Sequence, residues 1–467
     1  MESVHVERLD HLGLMACMRK DLGLISMLDP RLVPQEQEAI TPGEAVAGMI
    51  LNGLGCANRP LSLPPQFFPN KPLDLLLRPG VRAELFHRFK LGRTLDAVQG
   101  YGWDLLLSEL ALAVCAQESL EQRFHHLDTT SFALSGDYVP ESDEHAMRLT
   151  HGYAKDHRPD LQPAVLALLV SQDGGVPRGS KSWDGPTSDT QIFKERAEAL
   201  MAAFAHSPTP RYLGADATLS TEDPAAPLAT RGFITRIPGT RKLVSQVITQ
   251  ALQEDRWHRL DATTRYACLE LGHYGMAPRW RVVSSPAAME RAATSMHQAQ
   301  QRAWDAIEQQ LWHWHAKRFA PPEAAHAALT ALSKAWRYHQ LDPCQVLDHK
   351  RDACTGRPTP TRPLKALAWQ MHAPVRPAQE VMAAHKQQSA CFVIGTNIPA
   401  RQVSDAAVSR AYKAQAGVEG GFRFLKAPLC LVSSLFVKKP SRIQGLLRVM
   451  TLALLVYALT QRRVRQQ

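Results

Sequence analysis

Three acidic residues stand where their surroundings could put a carboxylate to chemical use. Asp128 follows the apolar run FHHL and Asp216 follows RYLGA, so each closes a stretch that reads as a β-strand. A carboxylate at the end of an apolar run is costly unless something neutralises it. A divalent cation would do so, because Mg²⁺ takes oxygen ligands, usually one or two carboxylates with waters and substrate phosphates. The plainer reading is that each Asp caps the following turn beside Thr129 or Thr218. The third acid, Glu419, lies in GVEGGFRFLKAP. On a helix starting near Ala407, Tyr412, Gln415, Glu419, Arg423 and Lys426 form one stripe, and Ala411, Ala414, Val418, Phe422 and Leu425 form the next. An ordinary solvated face with a Glu-to-Arg pair, worth a few tenths of a kcal/mol, is the plain alternative. Gly417, Gly420 and Gly421 speak against it, since each costs about 1 kcal/mol relative to Ala inside a helix. They would let a phosphate backbone or a sheet come close.

Other candidates are less specific. HGYAKDHRPD is dense in cations, so Lys155, His157 and Arg158 either contact DNA or decorate a surface hairpin. His125 and His126 precede Asp128 and read as packed strand residues rather than ligands. Trp304, Trp312, Trp314 and Trp336, with His313 and His315, could stack on flipped bases, but packing between helices explains them as well.

The elements that would position these residues follow from texture. Residues 1–115 read as mostly helical, with Thr41 as an N-cap and Pro42 at the first position of TPGEAVAGMILNGL. From 116 to 255 strands appear: FHHLDTTSFAL, PAVLALLVSQDGG, RYLGADATLST and GFITRIP, with a helix from Ser188 or Asp189. Strand, helix and strand together describe an α/β layer. From 256 to 388 the pattern shifts to a small antiparallel patch and two long helical stretches, with HKRDACTGRPTPTRP as a loop. At 389–467 a strand returns in ACFVIGTNIP, followed by the Glu419 helix and a basic apolar tail. A sheet that begins near 120, breaks off near 255 and resumes near 390 implies a domain inserted into one core.

Composition narrows the class. The chain has 467 residues, 45% hydrophobic and 21% charged, enough for a sizeable core. Its net charge of +10 points to an acidic partner, most simply nucleic acid, with solubility as the plainer alternative. Nine Lys or Arg and no acid lie between Gly420 and Gln467. Eight scattered cysteines without a CxxC pair argue against a zinc ribbon or a disulfide scaffold, and fit a reducing cytosol. The N-terminus has no apolar core of a signal peptide. VMTLALLVYAL is too short to span a bilayer and reads as a buried helix.

These residues resemble the insertion-sequence DDE transposases whose third acid sits in a Tyr-(2)-Arg-(3)-Glu-(6)-Lys signature. Tyr412, Glu419 and Lys426 hold that spacing, with Gln415 at the Arg position. LDTTSF, GYAKDHRPDLQP, GADATLST, VIGTNI and KKPSRIQGLLRVMTLALLVYAL follow in the family's order, from about residue 45 to the end. The resemblance implies a ribonuclease-H-like α/β core with Asp128 on its first strand, Asp216 on the fourth and Glu419 on a late helix. It also implies an α+β insertion between the second acid and the Glu, and a helical N-terminal module for DNA-end binding or dimerisation. Two Mg²⁺ ions, replaceable by Mn²⁺, would be held by Asp128, Asp216 and Glu419 for in-line displacement at phosphorus. Water would free a 3′-OH at the element's end, and that 3′-OH would attack target DNA. Tyr412, Arg423 and Lys426 would grip phosphates. The implied partners are double-stranded DNA and a second copy in a synaptic homodimer, in the cytoplasm with no membrane. A DNA-binding descendant that no longer cuts, and a metal-dependent nuclease without strand transfer, are the alternatives.

Overall fold

In the computed structural model the described residues are 6–34, 38–55, 64–134, 138, 147–149, 161–185, 187–205, 211–215, 232–239, 242–270, 279–315, 317, 319, 322–342, 345–352, 364–372, 374–427 and 439–467. The protein is mixed α/β and forms two compact units. One takes in Met1–Ile237, Glu270–Trp280 and Ile394–Gln467; the other, Pro238–Leu269 and Arg281–Val393.

The first unit opens with helices α1 (Leu12–Asp21), α2 (Leu24–Leu32), α3 (Pro42–Leu54), α4 (Pro64–Phe67), α5 (Leu73–Leu76), α6 (Arg88–Tyr101) and α7 (Trp103–Gln117). Thr41 caps α3 as expected, and Glu44 reciprocates by accepting from the Thr41 backbone N–H, so two orphan donors are satisfied at once. Gly102, at φ 95°, separates α6 from α7 in a conformation that L side chains rarely adopt.

Strands β1 (Phe124–Leu134), β2 (Gln162–Ser171) and β3 (Pro177–Asp184) then run antiparallel to one another. After α8 (Asp189–Ala205), β4 (Tyr212–Ala215) pairs parallel to β1, and β5 (Phe233–Ile237) parallel to β4. Later come β13 (Cys391–Thr396), α13 (Asp405–Lys413), α14 (Ala416–Lys426) and α15 (Pro440–Gln466). The second unit is built from α9 (Lys242–Glu254), β6 (His258–Arg259), β7 (Arg265–Glu270), β8 (Arg279–Ser284), α10 (Pro286–His315), α11 (Pro322–Ser333), β9 (His339–Leu341), β10 (Gln345–Asp352), β11 (Leu364–His372), β12 (Val375–Pro377) and α12 (Gln379–Ser389). The large mixed sheet has the order β3-β2-β1-β4-β5-β13-β8-β7-β6. The segment expected as a loop from His349 instead begins as strand: β10 pairs antiparallel with β11 through Asp352, opposite Leu364.

Alternation along β1 and β2 sorts the first unit into two cores. Phe132, Leu134, Leu166, Leu168 and Val170 join Val418, Phe422 and Leu425 of α14, α15 and the N-terminal helices. Leu127, Val165, Ala167 and Leu169 face the other way, onto Ile192, Phe193 and Ala197 of α8. The final helix is the centre of the first core, with Ile443, Leu447, Val449, Leu454, Val456 and Leu459 at most 2% exposed. It runs 27 residues, longer than its apolar run implied, and by length and composition alone it could cross a membrane; 89% of its most apolar window is buried inside the protein. Leu454 lies under Gly421 of α14. Leu454→Ala is expected to cost about 2–5 kcal/mol of stability, measured as a fall in the urea midpoint with an unchanged slope.

Candidate active site

Asp128 is not at a strand end. It is the middle of β1, half-buried, and opposite Leu168 in an unbroken register. The apolar run before it is only the first half of a strand that continues through TTSFAL, whose β-branched and aromatic residues extend it. Its Oδ1 accepts from the Thr129 N–H at 2.7 Å, so the neighbouring-residue bond of the plainer reading is present, within a strand rather than a turn. By alternation Asp128 shares the face of Phe132, the face covered by α14. The parallel ladder of β1 with β4 ends at Leu127 opposite Ala215, the residues immediately before Asp128 and Asp216. Asp216 itself lies outside the described residues, as do Lys155, His157 and Arg158.

The helix expected from Ala407 through Lys426 is two helices, α13 and α14, with a tightened junction. Gln415 N–H donates to Tyr412 O, Gly417 N–H to Ala414 O and Val418 N–H to Gln415 O, at 2.9–3.0 Å, each a three-residue step. Such a 3₁₀ turn advances about 120° per residue instead of 100°, so the single stripe does not survive it. Gln415 turns inward: it is 6% exposed and its Oε1 has no partner. It replaces Ala414 in the buried row Ala411, Gln415, Val418, Phe422 and Leu425. Tyr412 stays half-buried on α13, whereas Glu419, Arg423 and Lys426 are exposed on α14.

The i,i+4 pair of the plain alternative does not form. Glu419 and Arg423 have no hydrogen-bond or ion-pair partner among the described residues. Glu419 is in the first turn of α14 and both cations are in the last, the arrangement the helix dipole favours. The Lys426 ammonium sits 5.9 Å from the centre of the Phe132 ring, tying the end of α14 to β1.

Two of the three glycines have a packing reason. A methyl group on Gly421 would stand 3.1 Å from Cδ2 of Leu454 and 3.5 Å from Cδ2 of Leu168, the residue opposite Asp128. One on Gly417 would stand 3.4 Å from the Cα of Gly175, in the left-handed turn between β2 and β3. So α14 meets the sheet at backbone distance beside Asp128. Gly420 faces open space, and nothing lies within 4 Å of where its Cβ would be.

Much of the basic tail is spent inside the fold. Arg442 pairs with Asp96, Arg462 with Asp173, and Arg463 with Glu118 and Asp21. Among the aromatics of the second unit, Trp314 packs on Leu329 and Phe319, and Trp304 stacks near His339, as packing requires; Trp312 is 72% exposed. Among the described residues no three His, Cys, Asp or Glu side chains gather as a metal site.

Residues 4–112 match a family model described as a domain of unknown function, DUF4277. No curated protein matches the chain. Among solved structures, the cryo-EM structure of a piggyBac transposase synaptic complex with hairpin DNA aligns over 98% of this chain and 76% of that one, at 7% identity and a TM-score of 0.36.

His125 and His126 are packed strand residues, each 1% exposed. Burial pushes the His125 imidazole down to about 3, helped by Arg178 and Arg211, and burial alone pushes His126 down to about 4. Above about pH 6.5 both are neutral, folded or unfolded. Below it the unfolded chain takes up protons that the folded chain refuses, so stability falls as pH drops from about 6.5 toward 4. Thermal unfolding at stepped pH should show this loss, and His126→Gln should lose less between pH 7 and 5 than wild type.

Proposed function

We propose that the chain is a DDE transposase that cuts DNA at the ends of an insertion element and joins the freed 3′-OH to target DNA. The observation that carries the reading is the position of Asp128. It lies on the sheet face covered by the Glu419 helix, opposite a leucine packed under that helix, and one residue past the last rung of the β1–β4 ladder. That rung ends where Asp216 follows in the sequence. The order β3-β2-β1-β4-β5, antiparallel then parallel, supports a ribonuclease-H-like core with its first acid on the first strand and its second after the fourth.

The donor set fits the implied metal. Three carboxylates are hard oxygen ligands, which suit Mg²⁺, whereas a nearby thiolate or imidazole set would suit zinc. His126, buried and neutral, adds no competing charge on that face. Bound Mg²⁺ would supply Lewis-acid stabilisation of the phosphoryl oxygens and an activated water. The protein's own part is to hold Asp128, Asp216 and Glu419 at one place and to keep the DNA phosphates beside them. Tyr412, Arg423 and Lys426, with Lys155, His157 and Arg158, are assigned that gripping role. The partners are double-stranded DNA and a second copy of the chain at synapsis, in the cytoplasm.

The test is cleavage of a supercoiled plasmid carrying the element's flanking ends, in Mg²⁺ or EDTA, by wild type, Asp128→Asn and Glu419→Gln. Metal-dependent nicking at the ends should fall by about 10²–10³ in each variant, the usual loss for one transition-state charge stabiliser, with DNA binding kept. Binding without cutting in any metal would mark a DNA-binding descendant. Nicking without joined product would mark a nuclease, and undiminished activity in Glu419→Gln would refute the site.

A further inference from the structure

A groove of about 680 Å³ runs along α14 beside the row of Glu419, bounded by the β2–β3 turn and the last turns of α15. Its floor on α14 and the turn before it is nearly bare backbone, because Ala414, Ala416, Gly417, Gly420 and Gly421 are all small. Its charged lining is Arg423 from α14 and Arg465 from α15, and no carboxylate lines it. Neither arginine has a hydrogen-bond or ion-pair partner among the described residues, in contrast to Arg442, Arg462 and Arg463 on the same stretch of chain. Phe424 and Tyr457, stacked at 4.8 Å, form part of the wall.

Two guanidinium groups kept clear of carboxylates, across a groove whose floor admits close backbone approach, suit a phosphate-bearing anion. We propose that this groove holds a nucleic-acid strand by its phosphodiester backbone, with Arg423 and Arg465 on successive phosphates. The choice of a strand over a free phosphate compound rests on the proposed action on DNA and on the net charge of +10, which favours a polyanion. Arg423 is one turn, about 6 Å, from Glu419 along the helix. A strand gripped there would pass directly by the acid. The groove is thus a track leading the strand past the cutting site, distinct from the acidic face itself.

Gly420 provides a clean test. Its missing side chain points into open space, so Gly420→Leu fills the groove without displacing a neighbour, and it improves helix propensity. The measurement is fluorescence anisotropy of a labelled 20-nucleotide single strand and of its duplex, titrated at several salt concentrations. Thermal unfolding of each variant checks that it is folded. Gly420→Leu should weaken binding about tenfold while leaving thermal stability equal or higher. The double variant Arg423→Gln/Arg465→Gln should lower the slope of log K against log salt by about two. Unchanged affinity and slope in these folded variants would overturn the proposal. So would displacement of the oligonucleotide by micromolar pyrophosphate or mononucleotide that depends on the same residues, since the occupant would then be a small phosphate compound. Failure of the groove and failure of the proposed chemistry are separable. Asp128→Asn should abolish cutting yet keep the groove-dependent binding, whereas unaltered binding in Gly420→Leu with cutting still dependent on Asp128 would remove the groove alone.

Discussion

The packing of α14 over Leu168, through Val418, Phe422 and Leu425, constrains everything else in the candidate site. Leu168 is held opposite Asp128 by the β1–β2 ladder, and a one-residue slip of that ladder would send Asp128 to the α8 face. A methyl group on Gly421 would reach ordinary contact distance of Leu168, 3.5 Å, so α14 passes close over that leucine. Any residue larger than Gly at 421 would press on Leu454, which is 2% exposed and has little room to yield. Strand register and helix packing together bring β1 and α14 against one another. Neither depends on a charged interaction.

Charge is organised around this core rather than within it. The last helix carries its apolar residues into the first core and is anchored at both ends by ion pairs: Arg442 to Asp96 of α6 at its start, and Arg462 and Arg463 to Asp173 of the β2–β3 turn, Glu118 just after α7 and Asp21 of α1 at its end. Exposed pairs of this kind contribute little stability each. Those around Glu118 are better placed, because its side chain is only 7% exposed and it accepts from Arg463 in two hydrogen bonds. The cluster stitches the family-matched N-terminal helices to the C-terminal helix. A stretch that looks uniformly nucleic-acid-binding by composition therefore divides into arginines that hold the fold and a smaller set that faces outward.

Period and punctuation made most of the frame legible. The strands FHHLDTTSFAL and ACFVIGTNIP, the Thr41 cap and the helix starting at Asp189 all follow from local pattern. What escaped was set by tertiary contact. β3, PRGSKSWD, is polar and glycine-bearing, and it is a strand because β2 and α7 lie against it, with Trp103 Nε1 donating to Ser180. Asp128 read as a strand end because the following TTS is polar, yet Thr129, Thr130 and Ser131 are all buried in the sheet. The break between α13 and α14 leaves no Pro or capping signal. Only the small residues Ala414, Ala416 and Gly417 around Gln415 hint that the chain tightens there to pass the Gly174–Gly175 turn.

That tightening also accounts for Gln415, which stands where the Tyr-(2)-Arg-(3)-Glu-(6)-Lys pattern that the sequence resembles has Arg. An Arg at position 415 would place a guanidinium in a pocket where Gln is 6% exposed and already has one unpartnered polar atom. Burying an unpaired cation costs far more than burying an amide. Gln is therefore the residue the site tolerates once the 3₁₀ turn has rotated position 415 inward. The positive charge this removes has counterparts one and several turns away, on Arg423 and Arg465, where α14 and α15 open to solvent and the guanidinium groups keep their hydration. On this view the glycines and the glutamine are one adaptation. The inner side of the helix holds Val418, Phe422 and Leu425 but no charge, and its arginine stands on the groove side.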